Sequence, residues 1–253
     1  MPVNLELTRK MRHPRAVLPT VAVLLVLAIA AFGACGGSGD DSTPTPGKAL
    51  TRVEQCQREA GKRTGASCPK AAKTLAEASR KDIDEFWDQA FSGGRRPYDP
   101  PTKFVAYDEP IRTGCGDSEM DNAFYCGRDN SIYYDVHFLG QEFAKRGEYA
   151  PVFIIAHEWG HLVQANLGLL EDESLYSIEI ELQADCFAGV YMQDAQLRNR
   201  VAEKDVDSAV VALFHVGDDL GTVWNDPQAH GTSGQRIDSF NAGFTQGIDA
   251  CMD

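Results

Sequence analysis

Positive charge is scarce in this chain. Its 253 residues carry 24 Lys and Arg against 37 Asp and Glu, a formal net charge of −13. Binding nucleic acid through a basic face needs cations to neutralise phosphates, so that function class is disfavoured. No two cysteines stand in CxxC spacing, which argues against a zinc site built on thiolates. Internal repeats are lacking too, which leaves no sign of a solenoid. What is present is ordinary globular material, 43% hydrophobic and 24% charged, and wholesale disorder does not fit it. The length allows one good-sized domain or two small ones.

The N-terminus differs from the rest. Residues 1–35 carry Arg9, Lys10, Arg12 and Arg15 but only one acid, Glu6, and the stretch from Ala16 to Ser38 is uncharged. A basic front, a short apolar core and small residues at its end describe a secretory signal. A retained membrane helix fits less well, because Pro19 and the Gly/Ser-rich end leave fewer than the ~20 apolar residues a span needs. Phe32-Gly33-Ala34-Cys35 resembles a bacterial lipobox, with Phe where Leu is usual. That resemblance implies lipidation of Cys35 and a lipoprotein on the outer face of the cytoplasmic membrane, or a secreted protein if Cys35 is not modified. Residues 36–48 (GGSGDDSTPTPGK) read as a flexible linker, and residues 49–253 as a single domain. With Cys35 set aside, six cysteines remain, an even number that suits disulfides in an exported protein. Proximity favours Cys115–Cys126 across a hairpin and Cys56–Cys68 across a helical turn, which leaves Cys186–Cys251. Only Cys115–Cys126 is carried forward as a prediction.

Helical spacing marks Leu50–Ala60 and Lys70–Phe91, the second with Leu75, Ile83, Phe86, Trp87, Ala90 and Phe91 largely on one side. Lys103–Tyr107, Ala123–Cys126 and Ser131–Phe138 read as strands. Four helices are expected after them. The first starts near Pro151 and runs to about Asn166, with Gly168 beyond its end. The others cover about Leu175–Leu197, Val206–Val216 and a stretch beginning near Thr232, where Thr232 and Gln235 fit a capping box. Ile237, Phe240, Phe244 and Ile248 follow on one stripe. A small antiparallel sheet followed by helices is an α+β pattern.

Residues 157–161 read His-Glu-Trp-Gly-His. On a helix, positions four apart share a face, so His157 and His161 can grip one metal ion. Glu158 is rotated off that line yet stays close enough to act as a general base. This HExxH pattern arises by chance in roughly one chain in a hundred of this composition. The apolar run Val152–Ala156 before it suits a buried helix. Gly160 is costly in a helix, and close approach by another backbone would explain it. A catalytic zinc takes three protein ligands and keeps one open position. Glu181 and Asp185, four apart, are the candidates: one to bind metal, the other to accept a histidine N–H, as Asp185 can for His157. Glu179 is the rival ligand.

HEWGHLVQ at 157–164 with ELQADCFAGV at 181–190 resembles the bacterial neutral zinc metallopeptidases, a gluzincin-like group. CGDSEMDNAFYCGRDNSIYYD at 115–135 is similar to the Cys-bounded hairpin before their catalytic helix, and HVGDD (215–219) and HGTSGQR (230–236) to their C-terminal blocks. The likeness covers about residues 80–253. It implies a mainly helical zincin-like bundle after the sheet, Glu181 as third ligand to one Zn²⁺, and Asp185 as the carboxylate behind it. His230 and Arg236 resemble the His and Arg that follow the metal helices in related membrane-bound peptidases. His230 is the candidate oxyanion donor. Arg236 is assigned to substrate or to orienting a carboxylate, Asp218 or Asp219. The remaining His13, His137 and His215 are read as non-ligands.

The expected function is an exported zinc-dependent endopeptidase in which Glu158 is the general base toward a zinc-activated water. Its substrates are peptides or proteins of the cell envelope, with an edge strand from 123–138 to hold them. The alternative is a non-catalytic, zinc-stabilised envelope lipoprotein that acts as a protein-binding module. A zinc amidase acting on a non-peptide bond would share the chemistry.

Overall fold

A computed structural model of the chain describes residues 68–252, apart from 93, 95, 172–173, 203–205, 207–209, 211–216, 220–221, 224–225 and 227–228. The signal with Cys35, the linker, the helix expected over Leu50–Ala60, Cys56, His13 and His215 lie outside the described residues. So does most of the helix expected over Val206–Val216.

Helix α1 spans Pro69–Phe91 with its proline in the first turn, where the missing N–H costs nothing. Ala72, Ala76, Ile83, Trp87, Ala90 and Phe91 form its buried face. Five short strands follow: β1 Lys103–Tyr107, β2 Arg112–Thr113, β3 Gly116–Asp117, β4 Ala123–Cys126 and β5 Ser131–Asp135. β2 and β3 make a small antiparallel pair of their own. The other three form a sheet in the order β1-β5-β4.

That sheet is mixed, not antiparallel as expected. β4 and β5 run antiparallel, Ala123 opposite Tyr134 and Cys126 opposite Ser131, but β1 runs parallel to β5, Lys103 opposite Ser131. Every residue of β5 is buried, so it takes the centre and needs a partner on each side. The chain between β1 and β5 makes a long excursion through β2, β3 and β4, which supplies the crossover a parallel pair requires.

β5 also ends sooner than its β-branched and aromatic run suggests. The Asp135 carboxylate accepts the His137 N–H at 2.7 Å and caps helix α2, Val136–Arg146. An Asp in extended geometry just before a helix satisfies an orphan N–H, and here that outweighs the strand preference of residues 136–138. His137 therefore lies in the first turn of α2.

Helix α3, Ala150–Leu167, has Pro151 in its first turn and ends at Gly168, whose φ of 73° is left-handed. It is buried on nearly every face, from Ala150 through Gln164 save His161, the signature of a central helix. It packs against α1, α2, β4 and helix α4, Ser177–Leu197. Helix α5, Ser233–Gln246, lies along α4. Its capping box forms as expected: Thr232 N–H donates to Gln235 Oε1 at 2.9 Å, and the Thr232 hydroxyl accepts the Gln235 N–H at 3.4 Å. A short 3-10 helix, Ile248–Cys251, closes the chain. Trp87, Phe153, Trp159, Phe187 and Phe240 fill one core between these layers. Cys115–Cys126 is bridged, tying β4 to the β2–β3 turn, and Cys186–Cys251 ties α4 to the C-terminal 3-10 helix.

Candidate metal centre

The site is built where α3 and α4 cross. A Cβ on Gly160 would sit 2.6 Å from the Ala184 carbonyl oxygen and 2.9 Å from its Cα. Only hydrogen at position 160 lets the helices come this close. The crossing sets the helical turn Glu181–Asp185 against the turn His157–His161. The imidazoles lie with ring centroids 4.8 Å apart and nearly perpendicular, at 86°. Glu181 reaches both: Oε2 is 3.1 Å from His157 Nε2, and Oε1 is 3.3 Å from His161 Nε2. A donor atom from each of the three residues lies within 4.8 Å of the others.

Each imidazole is held from behind. His157 Nδ1 is 2.7 Å from Asp185 Oδ1, and His161 Nδ1 is 2.8 Å from Gln164 Oε1. Asp185, wholly buried, also takes Arg236 Nε on Oδ2 at 2.7 Å and Arg236 Nη2 on Oδ1 at 2.9 Å. Here the structure corrects the sequence reading. Arg236 orients Asp185, not Asp218 or Asp219. It sits in the first turn of α5, four residues before buried Phe240, and so faces inward. Asp218 instead accepts the backbone N–H groups of His230 at 2.7 Å and Gly231 at 2.8 Å. The rival Glu179 caps α4 by accepting the Tyr176 N–H at 2.9 Å and stands outside the cluster. Sequence reasoning missed Gln164, although its place three residues after His161 on the same helix face was a usable signal.

The cluster forms the floor of a cleft of about 480 Å³. Glu158 lines it beside the imidazoles, with Oε2 accepting the Tyr125 N–H of β4 at 2.8 Å. His230, exposed, stands on its wall. Phe138, Phe153, Ile154, Leu170 and Ile180 give the wall an apolar part.

A family model described as "Putative neutral zinc metallopeptidase" matches residues 15–253. The chain belongs to this family. Among curated relatives, the uncharacterized protein YpfJ of Escherichia coli K12 is 34% identical over 189 residues, covering 66% of each chain. The uncharacterized protein Rv2575 of Mycobacterium tuberculosis H37Rv is 28% identical over 213 residues, covering 73% of this chain and 71% of its own. The chain thus spans about two thirds of the relatives it matches. No solved structure matches it.

The donor set of this metallopeptidase-family chain fits the zinc its family implies. Two imidazoles and a carboxylate are zinc ligands of the catalytic kind, and one donor atom from each of the three lies within 4.8 Å of the others. The charges around the cluster favour a cation. Burial opposes a charge on Glu181, yet the hydrogen bonds and charges of the two imidazoles outweigh it and hold the carboxyl far below its ordinary range. Burial likewise opposes a charge on His157, but Asp185 and then Glu181 lift it to about 10, so a cation is favoured there and a metal would have to displace the Nε2 proton to be bound. Glu158 is pushed up, chiefly by burial, with the imidazoles and the Tyr125 N–H pulling the other way.

Proposed function

We propose that the chain is an exported zinc-dependent endopeptidase. The observation that carries this reading is Glu158, a buried carboxylate in a cleft beside the His157–His161–Glu181 cluster. A structural zinc site has no use for a base and closes its fourth position with another ligand, whereas here the cluster faces open cleft. This counts against the non-catalytic, zinc-stabilised binding module.

His157, His161 and Glu181 would hold one Zn²⁺. When bound, zinc supplies Lewis acidity that polarises a carbonyl and acidifies water. The chain's own residues do the rest. Glu158 has one oxygen fixed by the Tyr125 N–H, which leaves Oε1 to take a proton from the attacking water and pass it to the leaving amine. Its raised pKa brings it nearer the working pH of such a shuttle. β4 is an edge strand, with β5 on one side and the cleft on the other. Main-chain groups alternate in direction along a strand, so Ala123 faces the same way as Tyr125, whose N–H Glu158 holds, and presents its own groups to an extended peptide. His230 on the cleft wall serves as a hydrogen-bond donor to the developing oxyanion. Arg236 locks Asp185, and Asp185 holds the His157 ring by Nδ1 so that Nε2 is turned to Glu181 and the cluster.

The basic, apolar segment ending at Cys35 supports export and a lipid anchor, and cell-envelope proteins are then the substrates within reach. Metabolic labelling with a fatty acid tests this: label incorporated by wild type and lost in Cys35→Ala is the expected result. The enzymatic reading is tested by zinc analysis and a peptide-library assay. One zinc per chain is expected in both wild type and Glu158→Gln, with cleavage only in wild type. Equal cleavage by both would remove Glu158 from the mechanism.

A further inference from the structure

Behind His161 runs a chain of hydrogen bonds whose direction is fixed at both outlets. Gln164, wholly buried, offers Oε1 to His161 Nδ1 at 2.8 Å. Its Nε2 donates to the Ile180 carbonyl at 2.7 Å and to Gln183 Oε1 at 2.9 Å. Gln183 Nε2 in turn donates to the Cys251 carbonyl at 2.8 Å. A main-chain carbonyl can only accept. The Cys251 carbonyl therefore forces the Gln183 amide to point its nitrogen outward and its oxygen toward Gln164. The Ile180 carbonyl does the same for Gln164, whose oxygen is left facing His161. An imidazole nitrogen that meets an oxygen carries the proton, so His161 is held with Nδ1 protonated toward Gln164 and with Nε2 turned to Glu181 on the cluster side. The far end of this chain is anchored covalently, because Cys251 is bridged to Cys186, next to Asp185 on α4.

We propose that Gln164 and Gln183 are positioning residues for His161, and that the Cys186–Cys251 disulfide holds the carbonyl that sets their direction. This rests on the reading of His161 as a zinc ligand. His157 is oriented by a charged carboxylate backed by Arg236, whereas His161 is oriented by two neutral amides whose register depends on the C-terminal 3-10 helix. The closed Cys186–Cys251 bridge thus supports the metal site as well as the fold.

The test is a competition titration of zinc against a chromophoric chelator, on the metal-free full-length chain in mild detergent, with the melting temperature of each metal-free variant measured alongside. Gln164→Met is expected to weaken zinc binding by about 10- to 100-fold, the usual range for loss of such a partner. Gln164→Glu keeps an oxygen on His161 but sets its other oxygen against the Ile180 carbonyl, so it restores only part of the affinity lost in Gln164→Met. Gln183→Met, which touches no ligand, and the paired Cys186→Ala/Cys251→Ala variant each weaken binding several-fold. The absorption spectrum of the Co²⁺-loaded protein shifts in the Gln164→Met and Gln183→Met variants, a change that loss of packing alone would not produce. If His161→Ala abolishes zinc binding while Gln164→Met and Gln183→Met bind zinc as wild type does, the positioning role is overturned and the ligand reading stands. If the cysteine variant alone binds as wild type, the disulfide has no part in it. If His161→Ala binds zinc as tightly as wild type, the ligand reading itself fails.

Discussion

Gly160 sits where the two helices of the cluster are closest, and the space it leaves is filled by main chain. Alanine would raise local helix propensity by ~1 kcal/mol. Its methyl would collide with the Ala184 backbone, which cannot rotate away as a side chain can. Overpacking of this kind costs ~1–3 kcal/mol, so Gly160→Ala is expected to be a net destabilisation in chemical denaturation, with weaker zinc binding as α4 is pushed off α3. Arg236 is the second decisive residue. Its guanidinium and Asp185 are both buried, and removing one partner of such a pair strands the other. Arg236→Ala is expected to cost ~3–5 kcal/mol, read as a lower denaturation midpoint. His230, exposed on the wall, should behave differently: His230→Ala leaves stability unchanged and lowers kcat by about 10²-fold with little change in KM, as loss of an oxyanion donor does. At this scale much was legible. The HExxH spacing and the one-face placement of Glu181 with Asp185 follow from one helix period. The partner of Arg236 was not legible, because Asp185 lies 51 residues away and only the packing of α5 on α4 brings them together.

Among elements, α1 is fastened to the C-terminal end of α4 by a polar cluster. Asp82 accepts Arg198 Nη1 at 2.8 Å, Arg198 Nη2 at 3.0 Å and the Tyr191 hydroxyl at 3.0 Å. Burial would lift the Asp82 carboxyl, but the Arg198 hydrogen bonds and charge, with Tyr191 and Arg200, outweigh it and hold the group below its ordinary range. A carboxyl depressed in the folded state contributes stability that is complete above its unfolded value, ~3.9, and is lost as pH falls through the lower folded value. Asp82→Asn should therefore be less stable than wild type near pH 7. The gap should narrow as pH drops below about 4, as followed by thermal melts across pH. The helices α1, α3, α4 and α5 were legible within a few residues, since each carries its own run of apolar residues bounded by helix-starting or helix-breaking residues. The reach of β5 and the existence of α2 were not, because residues 136–138 suit a strand and one Asp135 side chain decides against it.

For the molecule as a whole, the three cluster residues come from helices that pack through the same core, so a metal bound there would be coupled to folding. A ligand that binds only the folded state stabilises it by about 4 kcal/mol at a free concentration a thousand times its dissociation constant. Zinc is expected to raise the melting temperature of the chelator-treated protein, and His157→Ala to abolish the rise, as read by calorimetry. The Cys186–Cys251 bridge spans 65 residues and joins the end of the chain to the helix bearing Glu181 and Asp185. The proteins from Escherichia coli and Mycobacterium that resemble this chain offer a second place to measure the same effects.

The sequence alone determined the α+β class, the catalytic-type helix with His157, Glu158 and His161, and the Cys115–Cys126 bridge, because each is set by neighbours within a few turns of chain. It could narrow the third donor only to nearby acids, since Glu179, Glu181 and Asp185 share one helix and differ only in the direction they face. The tertiary structure decided among them: the crossing at Gly160 turns Glu181 toward both imidazoles and Asp185 toward the back of one. It also decided that β1 runs parallel to β5, that Arg236 faces Asp185 and that Gln164 backs His161. Those are contacts between distant segments, fixed by how whole helices and strands fill a shared core, and no local pattern of residues encodes them.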